Sequence, residues 1–225
     1  MELATQPIDV KKIAVIGAGS MGWQLAARAA QAGFLVVLED VLPSNLRRAE
    51  NGIRESLMAM TQSSNASTAS ANAMALEAAL ARITFVLTVE DAVREADLAL
   101  DCLPDELESK LEIFSMLDRM APPHTILCTP TRTLSIADMA SCTYRAERCV
   151  AARPVQAETG VGGDSLAAAE EIYLMYSHWT LPNVLEAVSV VWQRLGKSVR
   201  VEYDGSFAPK TIPDSLAPQS IKCRE

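Results

Sequence analysis

The chain has 225 residues, 49% of them hydrophobic and 21% charged, which is the composition of a globular protein with a sizeable core. A formal net charge of −8 argues against a nucleic acid or an anionic membrane surface as its main partner. The five cysteines form no C-x-x-C pair and there are two histidines, so neither a disulfide framework nor a metal site is expected. With no apolar run of membrane-spanning length and no signal-peptide pattern, the sequence predicts a cytoplasmic protein.

Strands and helices are predicted to alternate along most of the chain. Short apolar runs rich in β-branched residues predict strands at 12–17, 35–39, 82–87, 97–103, 125–128, 148–153 and 198–203. Apolar residues at helical spacing predict helices at 20–32, 44 to about 60, 90–95, 106–120, 134–140 and 183–195. This alternation is typical of an α/β fold with a doubly wound, mostly parallel sheet of the Rossmann type.

Local signals mark where these elements begin and end. Gly33 is a predicted C-terminal cap for the first helix, and Ser44 is a predicted N-terminal cap for the second. The Ser-, Ala- and Asn-rich stretch 62–72 is predicted to be a loop between two helical arms, which form a helical excursion between the second and third strands. We assign residues 1–203 to one nucleotide-binding domain and the proline-containing residues 204–225 to an irregular tail.

A glycine-rich turn joins the first predicted strand to the first predicted helix. Its sequence, G-A-G-S-M-G, fits the G-x-G-x-x-G pattern of dinucleotide-binding sites. Gly17 would allow the tight turn, Gly19 the approach of a pyrophosphate and Gly22 the close packing of helix on strand. The helix that starts at Ser20 and Met21 offers free N–H groups to the phosphates. The turn predicts a dinucleotide site, and a turn that binds no ligand is the weaker alternative.

An acidic residue at the end of the second predicted strand indicates which dinucleotide is bound. The Asp40 carboxylate can accept hydrogen bonds from the adenosine ribose hydroxyls, and it would repel a 2′-phosphate. No arginine follows immediately to bind such a phosphate, because Arg47 and Arg48 lie further along, on the next helix. The sequence therefore predicts NAD as the cofactor in preference to NADP.

From about residue 11 to residue 203 the sequence resembles the N-terminal, NAD-binding domain of the 3-hydroxyacyl-CoA dehydrogenase family. The resemblance rests on the segments KKIAVIGAGSMGWQLAARAAQAGFLVVLEDV, ADLALDCLPDELESKLEIFSMLDRMAPPHTIL and LSIADMASCTYRAERCVAARP. It implies a Rossmann fold and the NAD-dependent oxidation of a 3-hydroxyacyl-CoA to a 3-oxoacyl-CoA, an activity of fatty acid metabolism. It also implies that Asp105 and Lys110 lie by the nicotinamide end of the cofactor.

The residues that carry catalysis in this family differ here. The family's general-base histidine corresponds to Arg153, which cannot lose its proton near neutral pH and so cannot be that base. The serine that holds the substrate oxygen corresponds to Arg132, and a neighbouring asparagine corresponds to Pro130. The glutamate that orients the histidine corresponds to Glu171, with Glu170 nearly as good a candidate. The resemblance therefore implies an altered or impaired catalytic site.

Other side chains are candidates for the missing base. His178 follows the glutamate position, and Glu158 lies in the glycine-containing loop 156–165. His124, before the fifth predicted strand, is expected at the far end of the sheet. Nothing in the sequence fixes His178 or Glu158 in a cleft, so the identity of the base is left open.

Full members of the family continue into a helical domain that completes the acyl pocket and forms the dimer, and here only a short tail follows residue 203. We expect the substrate to be a small-molecule acyl-CoA, or a 3-hydroxy acid whose anionic group Arg132 and Arg153 could hold. The alternative is a catalytically degenerate NAD(H)-binding sensor, or a subunit completed by a partner chain. A homo-oligomer and a complex with such a partner subunit are both compatible with the sequence.

Overall fold

The structure is a computed structural model that describes residues 6–62, 69–131, 133–155 and 169–205. Its strands are β1 (Lys12–Ile16), β2 (Leu35–Glu39), β3 (Ile83–Val86), β4 (Leu98–Asp101), β5 (Ile126–Pro130), β6 (Cys149–Pro154), β7 (Glu171–Tyr176) and β8 (Ser198–Tyr203). Its helices are α1 (Ser20–Gln31), α2 (Pro43–Gln62), α3 (Ala69–Leu80), α4 (Val89–Val93), α5 (Leu107–Met120), α6 (Ile136–Ser141) and α7 (Pro182–Arg194). Within these described ranges, no helix is long and apolar enough to cross a membrane.

The eight strands form one sheet in the order β3-β2-β1-β4-β5-β6-β7-β8. Strands β1 to β6 all run parallel to one another, whereas β7 runs antiparallel to β6 and parallel to β8. The chain builds from β1 to β3 in one direction and from β4 onward in the other, so the strand order reverses between β1 and β4. Open α/β sheets bind ligands at the carboxyl ends of the strands beside such a reversal. The predicted α/β fold with a doubly wound, mostly parallel sheet is confirmed.

Helices cover both faces of the sheet, and each face has its own apolar core. Along β2, Val36 and Leu38 belong to the core that contains residues of α1, α2 and α7. Val37 belongs to the core that contains residues of α4, α5 and α6. Because successive side chains of a strand alternate between faces, Glu39 at the end of β2 lies on the α4–α5 face.

Most of the predicted elements are confirmed to within a few residues, but one strand was missed and the predicted cap of α2 is wrong. Strand β7 was not predicted, because a regular alternation of strands and helices leaves no place for a strand that returns antiparallel after β6. Helix α2 begins at Pro43, so Ser44 lies inside its first turn and is not the cap. Proline favours the first helical position because its φ is already fixed near the helical value.

The ends of the predicted domain are only partly described. The predicted loop 62–72 is wrong at both ends, because α2 extends to Gln62 and α3 begins at Ala69. Residues 63–68 lie outside the described residues, and the two helices confirm the helical excursion between β2 and β3. The predicted boundary at residue 203 stays a prediction, and residues 206–225 lie outside the described range. Asp204 belongs to the packed fold, since its Oδ2 accepts hydrogen bonds from Ser135 Oγ at 2.8 Å and from the Ile136 N–H at 2.6 Å, at the start of α6.

Candidate dinucleotide site

The glycine turn between β1 and α1 is shaped by close backbone contacts. Gly17 has a φ of +97°, a conformation that residues with side chains rarely adopt. Its N–H donates to the Glu39 carbonyl oxygen at 2.9 Å, which ties the turn to the end of β2. A Cβ on Gly22 would lie 1.9 Å from the Gly17 carbonyl oxygen. Both positions therefore require glycine, one for the turn and the other for the packing of α1 on β1.

Gly19 stands at the start of α1 with open space in front of it. It is the N-cap residue and supplies no side-chain cap, and a Cβ built on it would meet no described atom within 4 Å. The N–H groups of the first helical turn, at Ser20, Met21 and Gly22, have no acceptor within the helix. An open helix N-terminus of this kind suits the approach of an anionic phosphate. The turn thus has the shape and the polarity that a pyrophosphate needs.

Asp40 follows β2 and lies against the glycine turn. Its carboxylate accepts hydrogen bonds from the Ala18 N–H at 3.0 Å and from the Leu42 N–H at 2.9 Å. Asn45 Nδ2 lies 3.0 and 3.1 Å from its two oxygens. Arg48 Nη2 in turn donates to Asn45 Oδ1 at 2.5 Å, so this guanidinium is closer to Asp40 than the sequence suggested. Arg48 is eight residues from Asp40 in the sequence, but one helical turn brings it to Asn45, which contacts Asp40.

A crevice of about 450 Å³ runs along the carboxyl ends of the strands. The glycine turn and Asp40 line one end, and residues that follow or end β4, β5 and β6, such as Asp105, Thr131 and Pro154, line the other. These strands are adjacent and parallel, so their carboxyl ends meet at one edge of the sheet. The layout suits an extended dinucleotide, with the adenosine half at Asp40 and the other half toward β6.

The predicted cofactor residues fall into two groups. The crevice is lined by Gly17, Gly19, Ser20, Met21, Asp40 and Asp105. Gly22 lies directly behind the turn, and Lys110 is buried beneath the loop that follows β4. The contacts of these residues with the cofactor stay predictions, but their placement around one crevice is what the glycine motif requires.

Lys110 is fully buried and holds the loop that follows β4. Its Nζ lies 2.9 Å from Asp101 Oδ2 and donates to the Leu103 carbonyl oxygen at 3.0 Å. Asp101 also accepts from Thr129 Oγ1 at 3.0 Å and from the Leu103 N–H at 2.9 Å. Burial raises the pKa of Asp101, while the Lys110 ammonium and these hydrogen bonds oppose that shift. Lys110 therefore supports the wall of the crevice through Asp101 rather than lining it.

The positions that correspond to the family's catalytic residues are only partly described. Arg153 lies half-buried near the end of β6, and its Nε is buried without a hydrogen-bond partner in the described part of the chain. Arg132 and Glu158 lie outside the described residues. Glu171 begins β7 beside the end of β6, and its carboxylate accepts a hydrogen bond from Arg200 Nε at 2.6 Å. The catalytic roles of Arg153 and Glu171 stay predictions, and Glu171 has an arginine as its partner.

Neither histidine of the chain lies at the crevice. Because β7 is antiparallel to β6, the residues after β7 lie at the opposite edge of the sheet, where Thr180 Oγ1 donates to the Cys149 carbonyl oxygen at the start of β6. His178 is in this segment and is therefore not a candidate base. His124 Nε2 lies 3.6 Å from Asp97 Oδ1, before β4, at the same far edge. The crevice has no imidazole to take a proton.

A second cavity of about 360 Å³ adjoins the crevice on the α4–α5 face, and the two share Gly17, Asp40 and Leu103 as lining residues. Glu39 lines it, is 3% exposed, and has no hydrogen-bond partner for Oε1 among the described residues. Burial and the Asp40 carboxylate raise the pKa of Glu39 to about 7, although the Gly17 N–H opposes this. Glu39 was not predicted from the sequence, although an acidic residue at the end of the otherwise apolar strand LVVLE was a signal for it.

The cysteine and the acidic residues at the crevice favour neither a reactive thiolate nor a metal site. Cys102 lines it, but burial and the neighbouring Asp101 carboxylate raise the pKa of the thiol, which disfavours the reactive thiolate. Across the described ranges, no group of three or more His, Cys, Asp or Glu side chains is placed to hold a metal ion. The polar groups of the crevice are those expected for binding a dinucleotide.

Comparisons with known proteins agree with this geometry. Residues 12–157 match the family described as 3-hydroxyacyl-CoA dehydrogenase, NAD binding domain. A probable 3-hydroxybutyryl-CoA dehydrogenase of Bacillus subtilis (strain 168) is 34% identical over 143 residues, 64% of this chain and 48% of that protein. The mitochondrial hydroxyacyl-coenzyme A dehydrogenase of Homo sapiens is 33% identical over 145 residues, which are 64% of this chain and 46% of that protein. The crystal structure of 3-hydroxybutyryl-CoA dehydrogenase from Escherichia coli K12 matches with a TM-score of 0.73 and 26% identity, over 87% of this chain and 39% of that chain.

The fold and the crevice together define a dinucleotide-binding domain of the Rossmann type. The chain belongs to the 3-hydroxyacyl-CoA dehydrogenase family, and its matched region is the family's NAD-binding domain. The chain spans about half the length of the curated relatives it matches. The family resemblance and the cofactor inferred from the sequence are confirmed.

Proposed function

We propose that this chain is an NAD(H)-binding oxidoreductase of the 3-hydroxyacyl-CoA dehydrogenase type with an altered catalytic site. The substrate is a 3-hydroxyacyl-CoA or a 3-hydroxy acid. NAD held along the crevice would supply the hydride acceptor for the carbon that carries the hydroxyl group, and the hydroxyl proton would pass to water. The observation that carries the proposal is the arrangement along one crevice of the open helix start at Gly19, the Asp40 carboxylate and the ends of β5 and β6.

The crevice would allow one orientation of the cofactor. The helix start at Gly19 would hold the pyrophosphate, and Asp40 would accept hydrogen bonds from the adenosine ribose. The nicotinamide end would then lie along the crevice toward Thr131 and Pro154. Substrate bound at that end would lie near the carboxyl end of β6, the strand that carries Arg153.

Arg153 changes the chemistry that this end of the crevice can perform. Its guanidinium cannot accept the hydroxyl proton, but it can stabilise a developing oxyanion or pair with a carboxylate or phosphate of the substrate. General-base catalysis by a positioned side chain contributes roughly 10²–10⁴-fold to a rate. We therefore expect turnover to be slower than in an enzyme with a histidine at this position, and we expect anionic substrates to be favoured.

A non-catalytic NAD(H)-binding sensor or subunit is the second candidate function. Two observations favour it: both histidines lie at the far edge of the sheet, and the Glu171 carboxylate is engaged by Arg200. In this case the crevice would bind cofactor without turnover, and a partner chain would complete the assembly.

Cofactor binding is tested by calorimetric titration of the protein with NADH and with NADPH. We expect NADH to bind at least about tenfold more tightly than NADPH, because the Asp40 carboxylate repels a 2′-phosphate. Asp40→Ala should weaken NADH binding and reduce the discrimination between the two cofactors. Asp9→Ala, which changes an exposed carboxylate paired with Lys11, is the matched control and should leave both unchanged. Failure to bind either cofactor would contradict the proposal.

Turnover is tested separately, by following NADH absorbance with acetoacetyl-CoA and with acetoacetate. If the chain is an oxidoreductase, we expect slow but measurable turnover by the wild type. We expect a higher kcat for Arg153→His, because this variant supplies an imidazole near the end of β6. Arg148→His is the control, because Arg148 precedes β6 and donates to the His124 carbonyl oxygen at the far edge. NADH binding without turnover in either the wild type or Arg153→His would instead establish the non-catalytic function.

A further inference from the structure

The cavity lined by Glu39 continues the crevice past the ribose site. Both spaces are bounded by Gly17, Asp40 and Leu103, so a group attached to a ribose at Asp40 can enter the second cavity directly. The nicotinamide half is directed the other way, toward β6. If the chain binds NAD(H) as proposed above, on which this inference rests, the group that enters this cavity is the adenine base.

The walls of this cavity suit a flat aromatic ring. They are formed mainly by apolar side chains, namely Ile16, Val41, Val89, Leu103, Ile113 and Met116. Ser109 and Glu112 on α5 also line it, and Glu112 is exposed to solvent. Glu39 and Asp40 are the buried acids that line the cavity, and Glu39, at the carboxyl end of β2, has an Oε1 that finds no protein donor among the described residues. A buried polar atom without a partner is costly unless a ligand supplies one.

We propose that Glu39 recognises the adenine base as a neutral carboxylic acid, its O–H donating to a ring nitrogen and its carbonyl oxygen accepting from the amino group. Adenine presents an acceptor nitrogen beside its amino donors, as at N7 and N6. A protonated carboxyl offers one donor and one acceptor side by side and matches that pair. An ionised carboxylate offers acceptors alone and would repel the lone pair of the ring nitrogen.

The charges around Glu39 favour its neutral form. The ionisable groups on the elements packed against it are Lys12 on β1, Asp40 after β2, Glu90 and Asp91 on α4, Asp101 on β4, and Glu108, Lys110, Glu112, Asp118 and Arg119 on α5. Lys110 is paired with Asp101, and Lys12 contacts Glu95 at the opposite end of β1. The described ionisable neighbours of Glu39 are therefore mostly carboxylates. Their negative charge favours the protonated form of Glu39, in line with its pKa of about 7.

Cofactor affinity should therefore depend on pH with a definite sign. Below pH 7 Glu39 is already protonated, so binding takes up no proton and the affinity is constant. Above pH 7 the free protein has lost this proton and must regain it on binding, so the affinity falls as the pH rises. The decrease approaches about tenfold for each pH unit, the limit for a single linked proton.

The test is calorimetric titration of the full chain with NADH between about pH 6 and pH 9, in pairs of buffers with different ionisation enthalpies. We expect the wild type to take up a fraction of a proton that rises above pH 7, with a parallel loss of affinity. This measurement needs no variant, so it does not depend on how well a substituted protein folds. A constant affinity with no proton uptake would overturn the role of Glu39 and leave NAD(H) binding itself intact.

Two variants test whether Glu39 is the residue that takes up the proton when NADH binds. Glu39→Gln keeps one donor and one acceptor without an ionisable group, so it should bind NADH at every pH as the wild type does near pH 6. Glu112→Gln, which removes the exposed carboxylate of the same cavity, should keep the pH dependence of the wild type. A pH dependence that survives in Glu39→Gln or disappears in Glu112→Gln would overturn the assignment. Failure of the wild type to bind NADH at any pH would instead reject the proposed function and this inference with it.

Discussion

Gly19 and Gly22 lie in the same turn but require glycine for different reasons. At Gly22 a Cβ would lie 1.9 Å from a backbone carbonyl oxygen, so the close packing of α1 on β1 excludes any side chain. At Gly19 the backbone has ordinary angles, with φ −64° and ψ −178°, and the space in front of it is open. Gly22 is therefore a requirement of the fold, whereas Gly19 would be required by the pyrophosphate that we propose binds in front of it.

Alanine substitutions should separate these two roles. Gly22→Ala forces the backbone apart and should destabilise the protein by about 3 kcal/mol, the upper range for overpacking. Gly19→Ala should leave the free energy of unfolding nearly unchanged but weaken NADH binding at least about tenfold, because its methyl group occupies the space of the phosphates. Denaturant unfolding and calorimetric titration of both variants provide the measurement. Normal NADH affinity in a folded Gly19→Ala protein would contradict the placement of the pyrophosphate.

Glu39 and Asp40 show how two adjacent carboxylates acquire different roles. Asp40 accepts hydrogen bonds from two backbone N–H groups and from Asn45, which stabilise its charge at the crevice. Glu39 points to the opposite face of the sheet, into an apolar cavity, and its pKa is raised to about 7. In enzyme sites, two neighbouring acids in different environments commonly take different roles, one as a stable charge and the other as a proton donor or acceptor. Here they would divide recognition of the ribose from recognition of the base.

At the scale of elements, the junction of β4 and α5 depends on one buried ion pair. Lys110 on α5 and Asp101 at the end of β4 are both fully buried, and Leu103 between them bonds to both side chains. The same loop continues to Asp105, which lines the crevice. The pair therefore fixes the wall of the cofactor site as well as the contact between strand and helix.

Removing one partner of this pair should be strongly destabilising. Lys110→Met leaves the Asp101 charge buried and uncompensated, with an expected loss of about 3–5 kcal/mol. The double variant Asp101→Leu/Lys110→Met leaves no unpaired charge and should recover much of that loss. Arg94→Met, which breaks the exposed contact with Asp91 at 2.6 Å, is the control and should change little. Chemical denaturation of the wild type, Asp101→Leu, Lys110→Met and the double variant gives the coupling energy of the pair. Equal stabilities of Lys110→Met and the control Arg94→Met would contradict the role of the buried pair.

The sequence predicted the elements well where the signal was local. The boundaries of β2 and β8 agree with the prediction, because each is a continuous run with clear ends. The glycine turn and Asp40 were found because the motif lies within one strand–turn–helix unit. Strand β7 and the pairing of Lys110 with Asp101 were missed because both depend on how separate elements pack against each other.

At the scale of the whole molecule, strand direction decides which residues meet. Parallel β1, β4, β5 and β6 bring the glycine turn, Asp105, Thr131 and Pro154 to one edge of the sheet. The reversed direction of β7 takes His178 to the other edge, although Glu171 at the start of the same strand stays near the crevice. The cofactor end of the site could therefore be predicted from local motifs. The other end of the crevice could not, because which residues meet there depends on the direction of β7.

Because the crevice joins both halves of the sheet at their reversal, NADH should stabilise the whole fold. A ligand that binds only the folded state at a concentration 100 times its Kd contributes about 2.7 kcal/mol. For a protein of this size each kcal/mol corresponds to about 2–4 °C, so we expect Tm to rise by roughly 5–11 °C. Differential scanning fluorimetry should show this shift with NADH and a smaller one with NADPH at the same concentration. Gly19→Ala should melt at the wild-type temperature without ligand and gain little from NADH, and a full shift in this variant would show that NADH stabilises the protein from somewhere other than the crevice.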